Sequence, residues 1–476
     1  MHEKCGVVGM SLTDRSAANP LYYALYALQH RGQESAGIVT HDGFQQYDHV
    51  EMGLVGDAFT EQALEELHGT VGIGHVRYPT SGSVDACCAQ PFSVSFKSGS
   101  LGLSHNGNLI NADAVRDELA AQGHAFTSDG DTEVIAHDLA RNLLDGGLIQ
   151  AVRQTMGRIH GSYALTIIHD DAVVGVRDPD GNRPLCLGKL EDGYVLTSES
   201  AAIDTLDGEL IRDVRPGELI RLDPDGTGYT SYQLDDRTHS AHCFFEHVYF
   251  ARPDSVIDDN LVYEVRRELG RQLWEESGIE SDVVMPVPDS GRAFAGGYAE
   301  VADGVEFAEG LMKNRYVGRT FIMPTQDARE RAVRLKLNPI KSTVEGKTVT
   351  LIDDSIVRGT TSTQLVEVLR EAGAEAVHMR IGAPPIVAPC YMGIDMASRS
   401  ELIAADRSVE EICEEIGADS LAYLSIDAVA RALDTAREDL CLGCVTGEYP
   451  YDIPGETADR DVKRPDVGEE PVSPAD

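Results

Sequence analysis

The sequence predicts two folding units of different class in one chain: an α+β unit over residues 5–237 and an α/β unit with a mostly parallel sheet over residues 238–452. Three observations carry that division. Up to about residue 237 the chain consists of short strand-like runs broken by glycine turns. From about residue 241 strands and helices alternate, the rhythm of a parallel sheet covered by helices. Between them, the turn-like run Asp223-Pro224-Asp225-Gly226-Thr227-Gly228 and the polar stretch 233–240 close the first unit.

The elements follow in order. Cys5-Gly6-Val7-Val8-Gly9 opens a strand. Residues 21–28 read as a helix, and so do 132–144, where Val134, Ile135, Leu139 and Leu143 recur at near-helical spacing. Residues 162–169, the turn Asp170-Asp171 and residues 172–177 read as a hairpin. The second unit shows a helix at 261–276, strands at 283–287 and 348–352, a helix at 363–372 stopped by Gly373, and a strand at 376–381. Residues 327–347 are charged and lack a strong apolar period, and read equally as an active-site flap or a solvated helix. The stretch 453–476 is rich in Pro, Gly and acid and reads as a disordered tail. No internal repeat is present.

Composition narrows the function classes. The formal charge is −39, and only eight of the 40 basic residues are lysine. A non-specific nucleic-acid or anionic-membrane partner is disfavoured by that balance. The acid is spread through folded-looking segments, which resembles proteins of salt-accumulating halophiles. Residues 1–20 lack a basic start with an apolar core, and no apolar run approaches ~20 residues, so neither secretion nor a membrane span is expected and a cytoplasmic location is. In such a compartment nine cysteines point to metal or catalysis before disulfides.

The first chemical signal is Cys5. Removal of residues 1–4 gives this residue both a thiol and an α-amine, and an α-amine titrates near neutrality, at roughly 7.7–8.0. One residue then supplies nucleophile and base together. Three further blocks accompany it: Gln29-His30-Arg31-Gly32-Gln33-Glu34-Ser35, Gly74-His75-Val76-Arg77-Tyr78 and His105-Asn106-Gly107-Asn108-Leu109. The second signal is the run from Val349 through Asp353, Asp354, Ser355, Ile356, Val357, Arg358, Gly359, Thr360 and Thr361 to Ser362. An apolar strand ends in two carboxylates, a short hydroxyl-rich loop follows, and a helix begins. Ligands gather at the carboxyl ends of such strands, and backbone N–H groups at a helix start suit a phosphate. A second loop, Pro288-Asp289-Ser290-Gly291, also follows an apolar strand. The third signal is Cys441-Leu442-Gly443-Cys444 with the distant Cys243 and Cys390; four thiolates suit zinc or an iron–sulfur cluster, and spacing alone does not choose.

The fourteen-residue block resembles the phosphoribosylpyrophosphate signature of type I phosphoribosyltransferases. That resemblance implies Asp353 and Asp354 on the ribose hydroxyls, residues Ser355 to Ser362 around the 5-phosphate, and Asp289 and Ser290 in the pyrophosphate loop. Cys5, Arg77, Asn106, Gly107 and Asp131 resemble the glutamine site of N-terminal-nucleophile amidotransferases, which implies an αββα sandwich. Arg77 suits the substrate carboxylate, Asn106 and Gly107 an oxyanion hole, and Asp131 the substrate ammonium. Both halves on one chain resemble the glutamine phosphoribosylpyrophosphate amidotransferases, from Cys5 to about Tyr451. The similarity includes Tyr249-Phe250-Ala251-Arg252-Pro253-Asp254-Ser255 and Lys313-Asn314-Arg315-Tyr316-Val317-Gly318-Arg319. It implies phosphate contacts from Lys313 and Arg315, a flap over 327–347, magnesium held by Ser290, Asp353 and Asp354, feedback by purine nucleotides and a homotetramer.

The flanks of Cys390, Cys441 and Cys444 are similar to the cluster-bearing branch of that family, which implies a 4Fe–4S cluster on Cys243, Cys390, Cys441 and Cys444. Cys87, Cys88, Cys186 and Cys413 fall outside that set and are expected to pack. Two departures stand out: a four-residue leader, Met1–Lys4, shorter than the propeptides of that branch, and drift over 299–307. The alternatives are another amidotransferase with the same first half, such as a glucosamine-phosphate synthase, and a non-catalytic nucleotide-responsive regulator on a phosphoribosyltransferase fold.

Overall fold

The structure is a computed structural model that describes residues 5–78, 86–97, 99–237, 239–314, 337–396 and 398–454. Gly6–Leu12 lies at the centre of a seven-stranded antiparallel sheet. The strand order is Glu209–Asp213, Cys186–Leu190, Gly193–Thr197, Gly6–Leu12, Val71–Arg77, Ser35–His41, Gln46–Met52. All seven residues of Gly6–Leu12 are buried, which explains why the strand reads as a continuous small and apolar run without alternation. A second antiparallel sheet stacks on the first, in the order Tyr229–Gln233, Glu218–Leu222, Ala172–Arg177, Gly161–His169, Gly99–Leu109, Phe92–Phe96. Val7, Val39 and Ile73 from one sheet meet Ala164, Ile168 and Val173 from the other in a shared core.

Helices cover both outer faces. Leu21, Ala24 and Leu25 of Ala18–Ala27 pack on Val8 and Met10 of the first sheet. The helix comes close because glycines lie beneath it: a Cβ at Gly72 would stand 2.7 Å from Leu21 Cδ1. Asp131–Leu143 and Leu148–Met156 cover the second sheet through Ile135, Leu139, Val152 and Met156. The result is the helix–sheet–sheet–helix sandwich expected of the first unit.

The second unit carries a five-stranded, wholly parallel sheet in the order Glu306–Phe307, Val283–Pro286, Thr348–Asp353, Ala376–Ile381, Ser420–Tyr423. Helices Val262–Ser277 and Arg292–Val301 pack on one face with Leu269, Leu273, Phe294 and Tyr298 buried. Thr360–Glu371 and Val409–Ile416 cover the other through Leu365, Leu369, Ile412 and Ile416. A short parallel pair, His242–Cys243 with Leu440–Cys441, sets Cys243 opposite Cys441.

Two element starts differ from expectation. The first helix begins at Ala18 and not 21, since Pro20 in its first turn sacrifices no hydrogen bond. The helix expected at 363 begins at Thr360, directly after Gly359 with φ +75°; three hydroxyl residues that read as loop belong to its first turn. Of the charged stretch 327–347, residues 327–336 lie outside the described residues. The remainder holds Leu337–Pro339, paired antiparallel with Leu311–Lys313, and the one-turn helix Lys341–Val344. Residues 1–4 and 455–476 also lie outside the described residues. Among the described residues no helix is long and apolar enough to cross a membrane.

Candidate active sites and a four-thiol neighbourhood

Cys5 immediately precedes the central strand and lines a cleft with Arg77, Tyr78, His105, Gly107 and Asp131. Burial pushes its thiol up to about 11, against the opposing pull of a backbone hydrogen bond at Tyr78 and of the Arg77 charge; its Sγ–H donates to Tyr78 O at 3.6 Å. A thiol so placed is protonated at neutral pH and needs a base beside it. Arg77 ends strand Val71–Arg77 and donates to Glu34 Oε1 at 3.0 Å. Asp131 begins its helix. Burial raises its carboxyl, but His105 and the backbone N–H groups of Leu109 and Thr132 outweigh that and leave it lowered. It therefore presents a negative charge to the cleft.

Asn106 and Gly107 lie on strand Gly99–Leu109, opposite Ala164 and Tyr163. Asn106 is buried, and among the described residues its Nδ2 has no hydrogen-bond partner. A buried amide donor left unpaired costs about 1–3 kcal/mol, and a developing oxyanion would recover it. Gly107 has φ +153°, and a Cβ there would fall 2.0 Å from Ser162 O, so glycine is obligatory. His75 behind them is held neutral by burial, its pKa near 3.

In the second unit, Thr348–Asp353 delivers Asp353 and Asp354 to the carboxyl end of the parallel sheet. Burial raises both carboxyl groups, and their proximity raises Asp353 further, well above the ordinary range. Asp354 N–H donates to Asp353 Oδ1 at 2.9 Å, and Ser355 Oγ–H to Asp354 Oδ1. Ser290 donates to Asp354 as well, so the Pro288–Gly291 loop and the diacid loop share one site. Arg358, Thr360 and Thr361 are exposed, whereas Gly359 and Ser362 are buried. Gly359 has φ +75°, a left-handed conformation that favours glycine, and a Cβ there would also meet the tip of Ile403. Asp289 pairs with Arg292 at 2.9 Å and Lys313 at 3.1 Å, which places Lys313 beside the second loop. Arg315 lies outside the described residues.

Cys243, Cys390, Cys441 and Cys444 share a neighbourhood. The thiols of Cys441 and Cys444 are raised first by burial and then by neighbouring cysteines, Cys243 and Cys390 for Cys441, and Cys390, Cys441 and Cys243 for Cys444. Arg183 acts on Cys243 and Cys390 in the opposite sense. Among the described residues no three His, Cys, Asp or Glu side chains form a group placed to hold a metal ion. Of the other cysteines, Cys186 packs as expected. Cys87 is exposed, contrary to the packing role expected of it, because it stands on the short helical turn Ala86–Cys88 at the protein surface. Cys88 is buried but lines the Cys5 cleft.

A family description, glutamine amidotransferase domain, matches residues 82–205. The chain is 48% identical to the amidophosphoribosyltransferase of Methanocaldococcus jannaschii over 94% of its length and 98% of that protein. It is 50% identical to that of Archaeoglobus fulgidus over 95% and 99%. The chain belongs to the amidophosphoribosyltransferase family. It is a glutamine-dependent phosphoribosyltransferase, and the similarity spans both halves, which leaves no room for sugar-isomerase domains. The Bacillus subtilis glutamine phosphoribosylpyrophosphate amidotransferase complexed with ADP and GMP superposes with a TM-score of 0.88 at 42% identity, covering 98% of this chain and 100% of that one. A structure described as the allosteric regulatory enzyme of purine biosynthesis superposes at 0.89, also at 42% identity, covering 97% and 98%.

Sequence reasoning missed Glu34, which holds Arg77, and Gln90 and Thr132. Gln90 accepts from His105 N–H at 2.7 Å and donates to Thr132 Oγ1 at 3.0 Å, fixing the histidine behind Asp131. It also missed Arg31, whose Nε donates to Cys5 O at 3.0 Å. Glu34 and Arg31 stood in a block already singled out; what was lacking was the partner each would meet.

The diacid gives a prediction with a definite sign. A carboxyl whose folded pKa is raised binds its proton more tightly in the folded state. Stability therefore falls as pH rises from the unfolded value near ~3.9 through the raised folded value. Asp353→Asn removes that repulsion while keeping an oxygen to accept from Asp354 N–H. The variant should melt higher than wild type at pH 8, by about 2–4 °C for ~1 kcal/mol in a unit of this size. The advantage should shrink as pH is lowered toward 5, and activity should fall. Calorimetry across that range checks it; an advantage independent of pH would show that the two carboxylates do not repel.

Proposed function

We propose that this chain converts phosphoribosylpyrophosphate, glutamine and water to 5-phosphoribosylamine, glutamate and pyrophosphate, the first committed step of de novo purine synthesis. We propose a division into a glutaminase domain over 5–237 and a phosphoribosyltransferase domain over 238–452. The observation that carries the residue-level reading is the cleft that joins the buried Cys5 thiol to Arg77, Gly107 and Asp131, with the buried Asn106 amide, unpaired among the described residues, next to Gly107 in the strand. With residues 1–4 removed, the Cys5 α-amine takes the Sγ proton as Sγ attacks the amide carbon of glutamine. Asn106 Nδ2 and Gly107 N–H receive the oxyanion, Arg77 the substrate carboxylate and Asp131 its ammonium. The amine returns the proton to the leaving nitrogen, which departs as ammonia, and water then hydrolyses the thioester to glutamate. At the second site Asp353 and Asp354 hold the ribose hydroxyls, and Ser355, Arg358, Gly359, Thr360, Thr361 and Ser362 surround the 5-phosphate. Asp289, Ser290, Lys313 and Arg315 serve the pyrophosphate while ammonia attacks the anomeric carbon.

Two buried carboxylates and the Ser290 hydroxyl suit magnesium, which takes oxygen ligands and relies on substrate phosphates for the rest; when bound it neutralises the leaving pyrophosphate. The four neighbouring cysteines, Cys390 half-buried and the other three buried, would suit a 4Fe–4S cluster, which takes four cysteine thiolates. Purine nucleotides as feedback inhibitors, a homotetramer and a cytoplasmic location complete the reading. The nucleotide complex of the Bacillus subtilis protein supports the first.

The decisive test is Cys5→Ala. Glutamine-dependent synthesis should be lost and ammonia-dependent synthesis retained, because the second site needs only the amine. Normal glutamine turnover in that variant would move the nucleophile elsewhere.

For the thiols, anaerobically prepared protein should contain iron and acid-labile sulfide and absorb broadly in the visible. Cys441→Ser should lose iron and melt lower, since a group joining residues 243, 390, 441 and 444 acts as a cross-link. Stoichiometric zinc without sulfide would overturn the assignment.

The acidic, lysine-poor composition supports adaptation to concentrated salt. Potassium chloride shortens the Debye length to about 3 Å at 1 M and suppresses repulsion among surface carboxylates. Melting temperature and coupled activity should both rise into the molar range; a flat or falling melting curve would make the acidity ordinary surface charge.

A further inference from the structure

We infer that Glu199 is a positioning residue for glutamine hydrolysis: it fixes Arg31, and through Arg31 the main chain of Cys5, while its other oxygen is held by the second unit. The inference rests on the proposed role of Cys5 as nucleophile.

Glu199 lies between strand Gly193–Thr197 and helix Ala201–Thr205 and is completely buried. A buried carboxylate persists only if its lone pairs are met, and here two donors reach each oxygen. Oε1 accepts from His30 Nε2 at 2.8 Å and Arg31 Nη1 at 2.5 Å, both from the first unit. Oε2 accepts from the Arg252 N–H at 2.9 Å and Ser255 Oγ–H at 2.7 Å, both from the second. Burial pushes this carboxyl up, but His30, Arg31 and the Arg252 N–H outweigh it and keep it ionised far below the ordinary range.

Arg31 is the next link. Its Nε donates to Cys5 O, Nη1 to Glu199 and to Glu246 Oε2 at 3.1 Å, and Nη2 to Glu246 Oε1 at 3.0 Å. A planar guanidinium with both ends fixed cannot turn without breaking several of these bonds. The neighbouring Ser198 holds the same strand: its Oγ accepts from Val7 N–H at 2.9 Å, and its N–H donates to Val7 O. Cys5 and Val7 are thus both pinned from residues 198–199. Reacting groups displaced by about 1 Å lose rate steeply, so slack in this anchor falls on turnover, whereas Arg77 and Asp131, which serve binding, are untouched.

The experiment uses mature full-length protein and Glu199→Gln. The amide matches the carboxylate in size, but its NH2 must face either His30 and Arg31 or the Arg252 and Ser255 donors. Glutamine-dependent kcat should fall about 10–100-fold with KM for glutamine changed less than about 3-fold, while ammonia-dependent synthesis stays within about 2-fold. A second readout is the acid limb of kcat/KM for glutamine. The charges acting on Cys5 are Arg77, Asp131 and Arg31. With Glu199 neutralised, Arg31 is less compensated, so the limb should move to lower pH by about half a unit or more. Glu199→Asp should recover part of the rate. Wild-type kcat and limb in folded Glu199→Gln, or equal loss of both activities, would overturn the inference. Should that variant not fold, Ser255→Ala decides: a several-fold loss of glutamine-dependent kcat alone supports the inference, and no loss refutes it. Cys5→Ala run alongside separates the two readings, since glutamine turnover surviving there would sink the nucleophile and not the anchor.

Discussion

A single buried guanidinium, Arg31, ties the two units of this chain to each other and both to Cys5. It sits between Glu199 and Glu246, and Glu246 is also approached by Arg183 Nη1 at 3.4 Å. Four charges removed from water carry a large desolvation cost, and an apolar cluster of the same volume would be as stable or more so. What the apolar cluster could not do is point. Four hydrogen bonds from one rigid plane fix the Cys5 carbonyl against atoms of both units. Removing one partner leaves an uncompensated buried charge, which typically costs about 3–5 kcal/mol. The same arrangement therefore resists drift of the nucleophile and separation of the units.

The two candidate sites meet their substrates in opposite electrostatic conditions. At the proposed glutamine site Asp131 is ionised, Glu34 holds Arg77, and Asn106 Nδ2 has no partner among the described residues. On the proposed roles, substrate binding there would meet groups already held in place, which is preorganisation in its simplest form. The transferase site is instead frustrated, with two adjacent buried carboxylates raised against each other. Ribose hydroxyls or a cation relieve that repulsion, so part of the binding energy is released from the protein itself. A site of this kind favours occupied over empty.

Much of both units was legible because the chemistry is local in sequence. Asp353 to Ser362 is one strand, one loop and one helix start, and nothing distant is needed to see a phosphate cradle in it. The hairpin at 161–177 and helix at 131–143 followed from alternation and spacing for the same reason. The anchors were not legible. Arg31 meets Glu199 168 positions away and Glu246 215 away. Glu199, in Ser198-Glu199-Ser200, reads as an ordinary turn acid; only the stacking of sheet on sheet and unit on unit makes it a buried counter-charge. Gly359 was expected in the loop, but its left-handed φ, after which Thr360 begins the helix, is a backbone feature that the residue type permits and does not dictate.

The segment Cys390–Ile394 shows how little freedom remains between the units. Tyr391 O accepts from Asn108 Nδ2 at 3.0 Å, and Met392 O accepts from Ser162 Oγ–H at 2.7 Å. Gly393, φ +88°, lies so near that a Cβ would fall 2.7 Å from the Gly107 carbonyl carbon. One proposed thiol ligand, Cys390, therefore begins a loop that forms the back wall of the strand carrying Asn106 and Gly107. A group bound to Cys390 does not need to touch glutamine to matter for its hydrolysis. It fixes one end of a loop whose carbonyls hold Asn108 and Ser162, and those two residues flank the oxyanion donors in the register of the sheet, Asn108 directly opposite Ser162. Position is passed along by side-chain donors on main-chain carbonyls and by close backbone contact, so the loop that begins at Cys390 and the strand carrying Asn106 and Gly107 share one boundary although they lie on different units.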